Sequence, residues 1–137
     1  MVYVLDSSFV VALIIPDENS TKIRKMYDII QNADERQTPH LLWYEVANIF
    51  QNLVRRKRYT PDETMRFFPR LAAFDFICDF ETGIAYSEKL LRLCHEYNIS
   101  SYDAAYLELA ERKKAILCTL DEGLRAAAKK HGVKTLK

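Results

Sequence analysis

The sequence predicts an α/β/α sandwich built on a mostly parallel sheet of about five strands, in one domain over residues 1–137. Three observations carry this. Short β-type apolar runs alternate with segments of helical spacing, the pattern of a parallel sheet covered on both faces. The chain has 137 residues, 49% hydrophobic and 28% charged, which suits one core of ordinary size. It also contains no internal repeat, no low-complexity stretch and no linker-like run.

The elements follow in order. Tyr3–Leu5 reads as a buried strand and Ser8–Ile15 as an apolar helix, with Ser7 or Ser8 as its cap. Pro16-Asp17-Glu18-Asn19 is a start signal for a helix over Ser20–Asn32. A strand is expected around Gln37–His40. Leu42–Lys57 carries Trp43, Val46, Ala47, Phe50, Leu53 and Val54 on one stripe, and is a helix. Pro61–Leu71 opens with Pro then Asp-Glu, as a first helical turn does. Phe74–Ile77, Ala115–Leu120 and Val133–Leu136 supply three more strands. Thr82–Asn98 and Ser101–Lys114 are amphipathic helices, and Glu122–His131 stops at Gly132.

Composition excludes several chemistries. With only three glycines there is no phosphate-cradling glycine loop. Cys78, Cys94 and Cys118 form no CxxC pair and read as buried free thiols. His40, His95 and His131 are scattered with no cysteine at zinc-ligand spacing. No Ser, Cys or Thr nucleophile stands out beside a histidine base. The longest apolar run, Phe9–Ile15, is too short to span a membrane and has no basic leader before it. A cytoplasmic protein is expected. Net charge is +1, so the global field selects no partner.

In open parallel sheets ligands bind beyond the carboxyl ends of the strands. Asp6 directly follows the first strand and Asp121 directly follows Ala115–Leu120, so both point to one crevice if those strands are neighbours. Each also has a plain structural reading as a helix-start residue. Asp103 heads an apolar stripe with Tyr106, Leu107 and Ala110, and fits N3 of a capping box opened by Ser100. Glu45 shares a polar stripe with Asn48, Asn52 and Arg56. Arg55-Arg56-Lys57-Arg58 is either a solvated helix end or a phosphate contact. Met65-Arg66-Phe67-Phe68-Pro69 is the best candidate for exposed apolar surface, most other aromatics being core.

VLDSS at the start, PHLLWYEVANIF, SSYDAAYLELAER and LCTLDEGLRAAA occur in the order seen in one family. Over its whole length the chain resembles a PIN-domain ribonuclease of the VapC type, the toxin of a toxin–antitoxin pair. The resemblance implies a PIN-like fold and a Mg²⁺- or Mn²⁺-dependent endoribonuclease held inactive by a VapB-type antitoxin. It maps the acidic residues onto Asp6, Glu45, Asp103 and Asp121, with Thr119 at a hydroxyl position beside them and Ser7 in the supporting layer. Asp6, Asp103 and Asp121 are the expected metal ligands, with Glu45 binding a second ion or orienting water. An all-carboxylate donor set selects a hard cation. Four such groups within about 5 Å would repel by ~3 kcal/mol per ionised pair at an effective dielectric near 20. RNA is the implied substrate, with Arg55, Arg56, Lys57, Asn48 and Asn52 as its further contacts, and a homodimer is expected. The alternatives are a non-catalytic binding module and an aspartyl phosphotransferase; the latter often shows DxD where this chain has Asp6-Ser7-Ser8.

Overall fold

The computed structural model describes residues 1–18 and 20–136. Its centre is β1 (Val2–Leu5), where Tyr3, Val4 and Leu5 are all buried, as expected of a strand covered on both faces. β2 (Glu35–Pro39), β3 (Ile77–Asp79) and β4 (Ile116–Cys118) join it in the order β3-β2-β1-β4, every pairing parallel. The register sets Val4 beside Gln37 and Leu117, and Leu5 beside Cys118. The ends of β1 and β4 are therefore level.

Alternation along β1 sorts the core into two layers. Tyr3 and Leu5 pack with α1 (Ser7–Ile14), α2 (Thr21–Gln31), α3 (Leu41–Arg55) and α5 (Phe68–Ala72). Val4 packs with α6 (Ile84–Tyr97), α7 (Ser101–Arg112) and α8 (Glu122–His131). The three-layer sandwich is thus as expected. Among the described residues no helix is long and apolar enough to cross a membrane.

Three boundaries differ from expectation. Among the described residues the sheet has four strands, and Val133–Leu136 contributes one parallel bridge, Thr135 to Leu117. The third strand starts at Ile77 because Asp75 turns the chain with a φ of 49° and leaves Phe74 in the core. The helix expected over Pro61–Leu71 is two, α4 (Pro61–Met65) and α5. Pro69 has no N–H, and its ring would clash with the carbonyl four residues back, at Met65. Between α1 and α2, Pro16–Glu18 is a single 3-10 turn; Asn19, the last of the expected start signal, lies outside the described residues. In the segment expected to be exposed, Met65 and Phe68 are exposed and Phe67 is buried against Phe50 and Tyr59.

One polar cluster ties β3 to the helical layer. Arg112 grips Asp79 through Nη1 (3.1 Å) and Nη2 (2.7 Å), and Glu108 through Nε (2.8 Å) and Nη2 (3.1 Å). Glu108 is 2% exposed and takes a further contact from Lys89 of α6 at 3.3 Å. Burial alone would raise the Asp79 carboxyl, but Arg112 holds it below its usual value.

Candidate active site

Asp6 leaves β1 with its N–H bonded to the Cys118 carbonyl at 3.0 Å, which continues the ladder to β4 by one step. Its side chain then caps α1. Oδ1 accepts from the Phe9 N–H (2.9 Å) and the Ser8 hydroxyl (2.7 Å), and Oδ2 accepts from the buried Thr119 hydroxyl. The cap is therefore Asp6 itself, in place of the Ser7 or Ser8 expected. Ser8 and Thr119 each make a second bond, to the N–H of Leu120 (3.1 Å) and of Asp121 (3.0 Å). Two hydroxyls thereby join the β1–α1 turn to the β4–α8 turn, and Arg125 braces the latter by donating to the Thr119 carbonyl at 2.7 Å.

Asp121 caps α8, its Oδ1 accepting from the Leu124 N–H at 2.6 Å, and its side chain is open to solvent. Asp103 is the third residue of α7; its N–H donates to the Ser100 hydroxyl at 3.1 Å, which is the forward half of the expected capping box. Glu45, one turn into α3, accepts a 2.6 Å bond at Oε1 from the Tyr106 hydroxyl. Ser7 also favours the charged form of Glu45 by hydrogen bonding.

The electrostatics show that these carboxylates share one environment. Burial pushes Asp6 above its ordinary value against the pull of Thr119, Phe9 and Ser8, and the Asp103 charge adds to the rise. Burial also raises Glu45, with Asp6 and Asp103 repelling it while Tyr106 opposes. Asp103 is raised by burial and then by Asp121. The clenched cluster expected from the sequence is not realised. Among the described residues no three acidic, histidine or cysteine side chains are gathered closely enough to hold an ion. Asp6, Glu45 and Asp121 are each held by donors of their own. The donor set nonetheless fits a hard divalent cation, being all carboxylate oxygen, and a cation would favour the charged forms of Asp6, Glu45 and Asp103 that burial disfavours.

Asn48 is exposed and Asn52 half-buried on α3, and Arg55, Arg56 and Lys57 project into solvent at its end. Cavities of about 630 Å³ (Ile116, Arg125, Lys129, Val133) and 430 Å³ (Glu111, Lys114, His131) are lined by none of the four carboxylates. Sequence reasoning assigned Tyr106 to the apolar stripe of α7 and did not single out Ser8 as a bridge. The available signal was that a buried tyrosine hydroxyl requires a partner.

The raised carboxyls predict an inverted pH response. A group whose folded value lies above its unfolded one, near 3.8 for Asp, adds stability below the unfolded value and loses it as pH rises through the folded one. In EDTA, the Tm of the wild type relative to Asp6→Asn should therefore fall as pH rises above about 4, and Mn²⁺ should restore it. A pH-independent difference between the two melting curves would contradict the assignment.

The PIN domain family profile matches residues 3–130. Ribonuclease VapC3 of Pyrobaculum aerophilum is 31% identical over 124 residues, covering 90% of this chain and 92% of that protein. A solved structure from the same organism, PAE2754, superposes with a TM-score of 0.72 at 25% identity, over 97% of this chain and 82% of that one. FitAcB of Neisseria gonorrhoeae gives 0.68 at 14% identity, over 98% and 96% of the two chains. VapBC2 of Rickettsia felis, bound to a DNA fragment from its promoter, gives 0.67 at 11%, over 99% and 98%. The last two show a shared fold only. With the profile spanning nearly the whole sequence and a VapC relative aligned over nine-tenths of it, the chain belongs to the PIN-domain family, as a member of the VapC type.

Proposed function

We propose that this chain is a divalent-metal-dependent endoribonuclease, acting as the toxin of a toxin–antitoxin pair. One observation carries the reading: Asp6, Glu45, Asp103 and Asp121 meet electrostatically at the carboxyl end of a parallel sheet, with burial raising three of them. The 31% identical relative is itself a ribonuclease, which supports RNA as the substrate.

Asp6, Asp103 and Asp121 would hold Mg²⁺ or Mn²⁺. Bound there, the ion supplies charge for the phosphate and acidifies a water for in-line attack. The chain's own residues do the rest. Thr119 and Ser8 fix the Asp6 carboxylate, so no reorganisation is needed on substrate binding. Tyr106 and Ser7 position the Glu45 carboxylate, which would take a proton from the attacking water, a task its raised affinity for protons favours. Arg55, Arg56 and Lys57, with Asn48 and Asn52, carry the RNA strand beyond the acidic mouth.

The solved relatives from Rickettsia felis and Klebsiella pneumoniae are named as VapBC2 and as a toxin–antitoxin complex. A cognate antitoxin for this chain follows by analogy. A basic side chain of such a partner, set among the carboxylates, would satisfy their charge and block the substrate at once. A homodimer completes the reading.

The purified protein should cleave single-stranded RNA with Mn²⁺ or Mg²⁺ and stop on addition of EDTA, as followed on a denaturing gel. Cleavage that persists in EDTA, or no cleavage with either metal, would overturn the proposal.

A further inference from the structure

An acidic mouth repels the phosphates of the strand it cuts, so affinity close to it has to come from uncharged groups. Two exposed tyrosines are next in sequence to two of the four carboxylates. Tyr44 immediately precedes Glu45 on α3 and is 75% exposed; Tyr102 immediately precedes Asp103 on α7 and is 63% exposed. Tyr102 is one turn, about 6 Å along the axis, before Tyr106 and hence on the same side of α7 as the residue that bonds Glu45. The two rings therefore rise from the two helices that this bond joins. Among the described residues neither makes a hydrogen bond or ring contact.

Tyr44 also begins a ridge. Asn48, Gln51 and Arg55 follow it at i+4, i+7 and i+11, all exposed, over roughly 16 Å of helix. Asn52, in the polar stripe read from the sequence, is half-buried, so the outward track passes through Gln51 to Arg55. It starts in an aromatic face, continues through two amides and ends at the exposed basic run Arg55–Arg58. Such a track, an aromatic ring next to Glu45 and cations at the far end, suits a flexible polyanion whose bases stack near the carboxylates and whose phosphates meet the basic run.

We propose that this ridge and Tyr102 bind unpaired RNA, stacking bases on Tyr44 and Tyr102, presenting Asn48 and Gln51 to base edges and meeting phosphates at Arg55. Stacking requires bases splayed out of a helix, so a single-stranded or looped substrate is selected over a duplex. The proposal rests on the nuclease reading above and adds to it what part of the RNA is recognised.

The test is fluorescence anisotropy of a labelled 12-mer RNA with the whole protein in EDTA, where cleavage is stopped. Wild type should bind the single strand more tightly than the same sequence as a duplex or as an abasic backbone. Tyr44→Ala and Tyr102→Ala should each weaken binding about tenfold or more, without changing its salt dependence, while Tyr44→Phe and Tyr102→Phe bind as wild type. Arg55→Ala should instead flatten the salt slope by about one. Equal binding of intact and abasic strands would overturn the proposal without reference to any variant. So would tyrosine variants that bind as wild type, which would leave the ridge to a protein partner. If such a protein still cuts RNA with Mn²⁺, only this inference falls; if wild type neither binds nor cuts RNA, both readings fall.

Discussion

Asp6→Asn should abolish RNA cleavage in a protein that remains folded. Loss of a partner one step behind a metal ligand already costs ~10–100-fold in affinity or activity, so loss of the ligand oxygen itself sets a floor of about 100-fold. The fold should tolerate the change. Asparagine caps helices as well as aspartate, and its Oδ1 can keep the Phe9 and Ser8 bonds. The amide group then faces the Thr119 hydroxyl, whose hydrogen loses the carboxylate acceptor and must turn away while its oxygen already takes the Asp121 N–H. That mismatch costs about 1 kcal/mol, and removal of a buried charge offsets it. Parallel gel assays and thermal melts of the two proteins decide the matter. An active Asp6→Asn protein would reduce Asp6 to the cap of α1 and remove the metal mechanism with it.

The largest effect on stability should come from Arg112→Ala, far from the chemistry. Arg112 hydrogen-bonds both Asp79 and Glu108 in the cluster described above, and Glu108 is 2% exposed. Without the guanidinium, Glu108 retains only the 3.3 Å contact to Lys89, and Asp79 loses two bonds. Removing one partner of a buried ion pair costs ~3–5 kcal/mol, which for a domain of this size lowers Tm by roughly 10 °C. Arg112→Ala/Glu108→Gln should recover part of the loss, because the stranded charge is gone. Urea melts of the single and double variants test this; a single variant within 1 kcal/mol of wild type would show that water already screens the cluster.

The architecture was legible because long, strongly periodic segments carry their own signal. α3, α7 and α8 sit where the spacing of Val46, Phe50, Leu107 and Leu124 puts them. The rule of carboxyl ends picked Asp6 and Asp121 out of nineteen acidic residues, and the register of β1 with β4 sets them on one edge. What failed depended on backbone detail. The break at Pro69 and the turn at Asp75 were hidden inside apolar patterns that fit a helix and a strand equally well. Val133–Leu136 has strand composition, but pairs through one bridge only. At the site, composition could name the carboxylates but not their tethers. Tyr106 and Ser8 owe their place to contacts across 61 and 112 residues, which no local pattern encodes.

Those long reaches also set a clock. The hydroxyl that holds Asp6 Oδ2 lies 113 residues further along the chain. Until β4 has been synthesised, β1 lacks one of its strand neighbours and Asp6 lacks the Thr119 hydroxyl. At 5–20 residues per second, several seconds separate the first acidic group from the last. Through that interval the growing chain carries Asp6 without the full set of four carboxylates. The acidic edge is therefore complete only once Asp121 has followed β4 into place.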